Sequence, residues 1–285
     1  MTTFAVTGAS GKLGRRVVTE LLDRGVPAHD VVAVVRDPAR ATDLAERGVE
    51  VRVGDYARPE TLTPALSGVD RLLLVSGSEP GNRVALHGAV IDAAVAAGVS
   101  RIAYTSILDA GASSNPLAGE HRGTEELLRA SGLPTTLLRN GWYAENYTDQ
   151  IAASLDRGVL LSAAGDGRIS AAPRADYAVA AAAALLDDAP GDRVHELGGP
   201  SFDLDELAAT VTEVTGRPLV HRSLPAAEYV AALVEAGLDQ GTATFLAALD
   251  TSVAAGDLET DSRDLEQLLG RPVTPLADVV REALA

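Results

Sequence analysis

The stretch TFAVTGASGKLGRRVV, residues 3–18, constrains the fold more than any other part of this chain. It reads as a short apolar strand, a turn carrying Gly8, Gly11 and Gly14 in the pattern G-x-x-G-x-x-G, and the opening of a helix. Each glycine has its own task. Gly8 allows the tight turn, Gly11 lets backbone N–H groups approach a pyrophosphate, and Gly14 lets the helix pack against the strand. The spacing alone is a weak signal, but at a first strand-to-helix crossover it predicts a dinucleotide phosphate site.

The same alternation continues through the first half. The apolar runs DVVAVV, VEVRV, RLLLV, RIAYT and PTTLLR are separated by helical stretches such as NRVALHGAVIDAAVAAG and EHRGTEELLRASG. Continuous apolar strands joined by helical crossovers predict a parallel sheet covered on both faces. Gly25, Gly48, Gly68, Gly98 and Gly132 punctuate the helices as C-terminal caps. The predicted fold class is α/β: a doubly wound Rossmann domain of six strands over residues 1–145, then a smaller α+β part over residues 146–285. In that part we expect one helix over about 146–157, strands at VLLS, VHELGG and PLVHRS, and helices at ADYAVAAAAALLDD and DLDELAATVTEVTG. The remainder reads as mostly helical. This part is interleaved, some of its segments return to the Rossmann sheet, and it is expected to cover the ligand cleft.

Composition narrows the partner. At 285 residues and 46% hydrophobic, the chain can bury a large core. A net charge of −16 argues against nucleic acid or an anionic membrane surface. The absence of cysteine removes disulfides, thiolate catalysis and Cys-ligated metals, and the five histidines lack metal-ligand spacing. No metal is expected. MTTFAVTGAS has no signal-peptide pattern, and the longest apolar run, YAVAAAAALL, is about half a membrane span. These features suggest a cytoplasmic protein with a small-molecule partner; monomer and dimer both stay open.

Open α/β sheets bind ligands at the carboxyl ends of their strands, and the residues delivered there are specific. Arg36 follows the second strand, where an acid would normally hold the ribose of NAD. A guanidinium suits the 2′-phosphate of NADPH, although a plain surface arginine is the alternative. Asp37 reads as a helix cap before Pro38, and Lys12 could add a second positive group. Asp55 and Tyr56 follow the third strand and are expected near adenine. Val75, Ser76, Gly77 and Ser78 follow the fourth, Tyr104, Thr105 and Ser106 lie at the end of the fifth, and NGWYAEN, residues 140–146, follows the sixth. Each serine there is either a ligand contact or local turn chemistry.

TGASGKLG, VVAVVRDPA, LLLVSGSE, IAYTSIL and LLRNGWYAENY together resemble the NmrA-like, atypical branch of the short-chain dehydrogenase/reductase superfamily. Within it, EHRGTEELLRASG, RNGWYAENY and AAGDGRISAAPRADYA resemble bacterial NADPH:quinone oxidoreductases of the second type. The likeness covers nearly the whole chain and weakens after about residue 200. It implies NADPH as hydride donor and a quinone as acceptor. It assigns Gly8, Ser10, Gly11, Lys12, Leu13 and Gly14 to the phosphates and Arg36 to the 2′-phosphate. Val75 to Ser78 fall to the ribose side, and Asn140, Gly141, Trp142 and Tyr143 to the nicotinamide end, with Arg174 near the cleft. Asp176 reads as the cap or first-turn acid of the following helix.

Aligned with the superfamily's Tyr-x-x-x-Lys pair, this chain carries Leu117 at the tyrosine position and His121 at the lysine position. Reducing a ketone makes a basic alkoxide that needs a proton donor. Reducing a quinone makes a weakly basic hydroquinone monoanion, so the missing acid fits direct hydride transfer to a quinone. Candidate donors to the developing oxyanion are Asn140, backbone N–H groups at Gly141 and Trp142, Tyr143 and His121. Two alternatives remain open: Trp142 and Tyr143 as packing at a domain junction, and His121 as a helix-start histidine. A second class of function is equally without the pair, a regulatory NmrA-type sensor that binds the dinucleotide without turnover.

Overall fold

Val31–Val35 is buried at every position, the pattern of a strand with helices on both sides. The computed structural model describes residues 2–77 and 81–284. Its strands are β1 (Phe4–Thr7), β2 (Val31–Val35), β3 (Glu50–Val53), β4 (Arg71–Leu74), β5 (Arg101–Ile107), β6 (Thr135–Asn140), β7 (Val159–Ser162), β8 (Arg193–Leu197) and β9 (Val220–Ser223). The first-half helices are α1 (Gly14–Asp23), α2 (Thr42–Glu46), α3 (Leu62–Ala65), α4 (Arg83–Ala97) and α5 (Ala118–Ala130). They are followed by α6 (Glu145–Thr148), α7 (Ile151–Arg157), α8 (Arg174–Leu186), α9 (Leu204–Thr215), α10 (Ala226–Glu235), α11 (Gln240–Ala254), α12 (Asp264–Leu269) and α13 (Leu276–Leu284).

The main sheet is parallel in the order β3-β2-β1-β4-β5-β6-β8. Alternate side chains of its strands feed two separate cores. Val31, Ala33 and Val35 pack with Val17, Val18 and Leu21 of α1 and with the buried alanines of α8. Val32 and Val34 face the other way, toward Leu62 of α3, Val90 and Ile91 of α4 and Leu128 of α5. Each fully buried valine of this kind contributes about 1.5–3 kcal/mol. A third core joins Ile151, Leu155, Phe202, Leu207, Val211 and Val280 beneath the small parallel sheet of β7 and β9. Among the described residues no helix is long and apolar enough to cross a membrane.

The six first-half strands are joined in the main sheet by a seventh, because VHELGG, in the interleaved part, returns as β8 and pairs with the edge of β6; left bare, that edge of β6 would present a row of unpaired N–H and C=O groups. One expectation is corrected. The helix expected over 146–157 is two helices: Gln150 N donates to Tyr147 O, three residues back, which tightens the turn and redirects the chain into α7. Asp176 takes the second of its two expected places, an acid in the first turn of α8, whose cap is Pro173. Its fully buried carboxylate accepts from Arg271 Nη2 at 2.6 Å and Thr274 N at 2.8 Å, pinning the C-terminal segment to α8.

Candidate active site

A cleft of about 790 Å3 opens at the carboxyl ends of the central strands. Its phosphate end is the glycine loop. Gly8 takes φ +59°, and a Cβ on Gly14 would stand 2.5 Å from the Gly8 carbonyl oxygen. The loop and α1 therefore meet at backbone contact, as the sequence predicts. Leu13, just before α1, offers no side-chain cap, and Leu13 and Gly14 line the cleft, so the N-terminal end of this helix borders it.

Arg36 stands at the end of β2 and lines the cleft. Asp37 is turned to its own backbone and accepts from Ala39 N at 3.0 Å, so its carboxylate caps the turn as expected. Arg40, a residue the sequence reading does not single out, lines the same cleft as Arg36. Lys12 also lines it, with its ammonium 3.1 Å from Asp149 on the exposed rim. Asp55 and Tyr56 line the same end. The Tyr56 hydroxyl donates to Val75 O at 2.8 Å and lies 2.5 Å from Thr7 Oγ1, so its ring, not its hydroxyl, is left for a ligand. Burial pushes this phenol far up.

Val75, Ser76 and Gly77 form the wall after β4; Ser78 lies outside the described residues. Tyr104 and Thr105 do not line the cleft, because β5 runs on to Ile107 and keeps both inside the sheet. They support the wall from beneath: Ser76 N donates to Thr105 Oγ1 at 2.8 Å. Ser106 does line the cleft, held by a 2.6 Å bond to buried Glu125, which Arg139 in turn pairs at 2.7 Å.

At the end of β6, Asn140 is 4% exposed and its Oδ1 has no hydrogen-bond partner among the described residues. The Gly141 N–H is committed to Leu197 O at 2.6 Å, so it leaves the set of candidate oxyanion donors. A Cβ at Gly141 would come within 2.6 Å of Ser170 O, which requires glycine at this crossing of β6, β8 and the 170 loop. Trp142 both lines the cleft and packs on the third core, so the wall and junction readings hold together. Tyr143 is sandwiched between the Arg174 guanidinium, 4.7 Å from its ring centre, and Tyr177 at 5.4 Å. Burial raises its pKa; the Asn140 side chain and the Arg174 charge oppose that rise. Arg174 is fixed by Asn146 Oδ1 at 2.9 Å.

The cleft is also lined by Leu117, just before α5, and, one turn later, by His121 of α5. His121 Nδ1 lies 2.7 Å from the Tyr104 hydroxyl, leaving Nε2 as the ring nitrogen for the cleft. Burial, aided by the charge of Arg83 and by His87, pulls the imidazole down to about 3. His121 is therefore neutral at physiological pH. His87 is likewise drawn down to about 3, first by burial and then by Arg83. Its tautomer follows from its partners. Gly77 N–H donates to Nε2 at 3.0 Å, so Nδ1 carries the proton and donates to Thr124 Oγ1, whose own hydrogen goes to Glu120 O. Arg83, 4% exposed, donates from Nε to Gly77 O and stands 3.6 Å from Glu120.

The cleft thus joins the glycine loop, Arg36, the β4 wall, Asn140 to Tyr143, Arg174 and His121, as expected, and adds Arg40, Arg83, His87, Leu86, Phe245 and Leu249. One signal was available for most of the additions. Arg83 and His87 on α4, and Phe245 and Leu249 on α11, are each spaced i, i+4, which sets two side chains on one helix face.

A sequence model described as NAD(P)H-binding matches residues 8–188. The chain belongs to this NAD(P)H-binding family. Quinone oxidoreductase 2 of Escherichia coli (strain K12) is 47% identical over 278 residues, covering 97% of each chain. An NmrA-like family domain-containing oxidoreductase of Aspergillus flavus is 30% identical, over 99% of this chain and 94% of its own, in accord with the NmrA-like resemblance. Among solved structures, the NADPH complex of an NADPH-dependent quinone oxidoreductase from Escherichia coli superposes with a TM-score of 0.96. It is 46% identical and covers 99% of this chain and 100% of that one. Within the NAD(P)H-binding family this likeness therefore extends past the matched residues, through the C-terminal helices that supply Phe245 and Leu249.

Proposed function

We propose that the protein is a cytoplasmic NADPH-dependent quinone oxidoreductase that passes hydride directly to the quinone, with neither flavin nor a Tyr-Lys pair. The observation that carries this reading is the acceptor end of the cleft, where Leu117 and neutral His121 occupy the positions of that pair beside the walls formed by Trp142, Phe245 and Leu249. The extent of identity to a quinone oxidoreductase supports it.

The residues present fit the cofactor. Gly8, Ser10, Gly11, Lys12, Leu13 and Gly14 would hold the diphosphate, and Arg36 with Arg40 the 2′-phosphate. Asp55 and Tyr56 flank the adenine end, and Val75, Ser76 and Gly77 the ribose side. The buried, unpartnered Asn140 Oδ1 suits an N–H donor such as a carboxamide, with Gly141, Trp142, Tyr143 and Arg174 framing that end. When bound, NADPH supplies a hydride. His121 and the Asn140 amide are the donors set to meet the charge that develops on the acceptor oxygen, and the apolar wall keeps water from it. No side chain has to surrender a proton, because the hydroquinone monoanion can take one from solvent after it leaves.

Saturable NADPH oxidation with 1,4-benzoquinone is the expected result. Tight NADPH binding without turnover above the uncatalysed rate would overturn the assignment and favour a dinucleotide sensor. Arg36→Asp should raise the NADPH KM on the order of 10–100-fold and leave NADH little changed, since it removes one charge-assisted pair.

A further inference from the structure

Tyr104 has no surface in the cleft, yet its hydroxyl touches the one group on α5 that does the polar work there. The 2.7 Å contact with His121 Nδ1 can be made in two ways. Either the phenol donates to Nδ1 and the imidazole hydrogen sits on Nε2, or Nδ1–H donates to the phenol oxygen and Nε2 is bare. Only the first gives the cleft a donor. The acidities of the two partners favour it. The phenol is the more acidic partner and the imidazole nitrogen the better base, so phenol-to-imidazole is the stronger bond. The neighbouring Thr124 hydroxyl accepts from His87 Nδ1 at 3.0 Å and spends its own hydrogen on Glu120 O at 2.9 Å, so it offers the phenol only one remaining lone pair of a neutral oxygen, a weaker acceptor than the imidazole nitrogen.

The cluster is also held in place from every side. Tyr104 is buried in β5, its ring lies edge-on to His87 at 5.4 Å and tilted over His121 at 5.8 Å, and Arg83 projects from the same face of α4 as His87. A fixed positive charge beside a neutral imidazole disfavours a second proton on the ring. His121 thus stays a single-proton group whose one hydrogen is placed by its partner.

We propose that Tyr104 is a positioning residue of the acceptor site: by donating to His121 Nδ1 it holds His121 as the Nε2–H tautomer that meets the developing oxyanion. This rests on the quinone-reductase reading. The reaction balances as hydride from NADPH to the quinone, giving NADP+ and the hydroquinone monoanion, with the remaining proton supplied by water. His121 donates a hydrogen bond and keeps its proton throughout.

The test is two-bond 15N–1H correlation on the full chain labelled at histidine, with the His121→Ala spectrum assigning the signal, alongside steady-state kinetics. The parent should show the Nε2–H pattern. Tyr104→Phe keeps the ring and should mix the tautomers, lower kcat about tenfold and leave the NADPH KM unchanged. An Nδ1–H pattern in the parent, or a parent-like kcat in a folded Tyr104→Phe variant, overturns the proposal. If that variant does not fold, the parent spectrum decides alone. A parent that shows the Nε2–H pattern but no turnover sinks the quinone reading while the tautomer assignment stands.

Discussion

His121 and His221 both bond a side-chain hydroxyl, at 2.7 Å to Tyr104 and at 2.8 Å to Ser162. By geometry the second is the more suggestive. Ser162, His221 and Asp205 form a hydroxyl–imidazole–carboxylate chain, with His221 Nδ1 3.0 Å from Asp205, the arrangement that activates a serine nucleophile in hydrolases. Yet Ser162 is 2% exposed and neither it nor His221 lines the cleft. The chain ties β7 to β9 and to the first turn of α9. His121 has a less familiar partner but faces a cavity that holds the glycine loop and the β6 wall. Hydrogen-bond geometry alone does not make a site; access to a ligand does.

The largest contrast should come from the two imidazoles themselves. His121→Ala is expected to lower kcat about 100-fold with a modest effect on the NADPH KM, the usual scale for losing one oxyanion donor. His221→Ala should leave kcat within about twofold and instead lower the melting temperature, because Ser162 and Asp205 lose a shared partner. Steady-state kinetics and thermal unfolding on both variants check this. Equal losses of kcat in two folded variants would break the distinction.

The two regions should also respond to acid with opposite signs. His87 and His121 are held down at about 3 in the fold against an ordinary 6.5, so they take up protons more readily when unfolded. Their contribution to stability is complete above pH 6.5 and is lost as pH falls toward 3. Asp250, beneath β7, is pushed by burial up to about 6, against the opposing pull of its bond from Ala163 N at 2.8 Å. Its contribution is complete below about pH 3.8 and lost as pH rises through 6. Two histidines outweigh one carboxylate, so the parent should lose stability between pH 6.5 and 4. Asp250→Asn should be more stable than the parent at pH 7 and fall more steeply on acidification. His87→Asn should flatten the acid loss. Melting temperatures across pH 4–7 test both slopes.

What the sequence reveals follows the same division. The strands, the glycine loop and Arg36–Asp37 are legible because each is written in contiguous residues whose backbone demands are local. The acceptor end is not contiguous. Arg83, His121, Asn140 and Phe245 come from four elements, and only packing brings them into one cleft. Tyr104 reads as a cofactor residue from its place near a strand end, but β5 runs on to Ile107 and Tyr104 lies buried in the core with His121 as its partner. Gly141 shows the same limit. Its N–H could be placed at the right edge of the sheet, but its acceptor, Leu197, belongs to the seventh strand, which the first-half rhythm alone leaves out.

The smallest predicted effect separates the regions most cleanly. Ser162→Ala removes the hydroxyl that bonds His221 and accepts from Ala164 N at 3.2 Å, without opening a large cavity. Such a deletion should cost about 1 kcal/mol of stability, because the cavity is small while one buried N–H and one imidazole nitrogen each lose a partner. Neither kcat nor the KM for quinone should move, since Ser162 does not line the cleft and Tyr104–His121 is untouched. A Ser162→Ala variant with parent stability but reduced turnover would mean that the small sheet reports to the cleft through α11, whose Asp250 accepts from Ala163 N just past β7 while the adjacent Leu249 lines the cavity. Unchanged turnover with a lowered melting point places the Ser162–His221–Asp205 chain wholly within the scaffold.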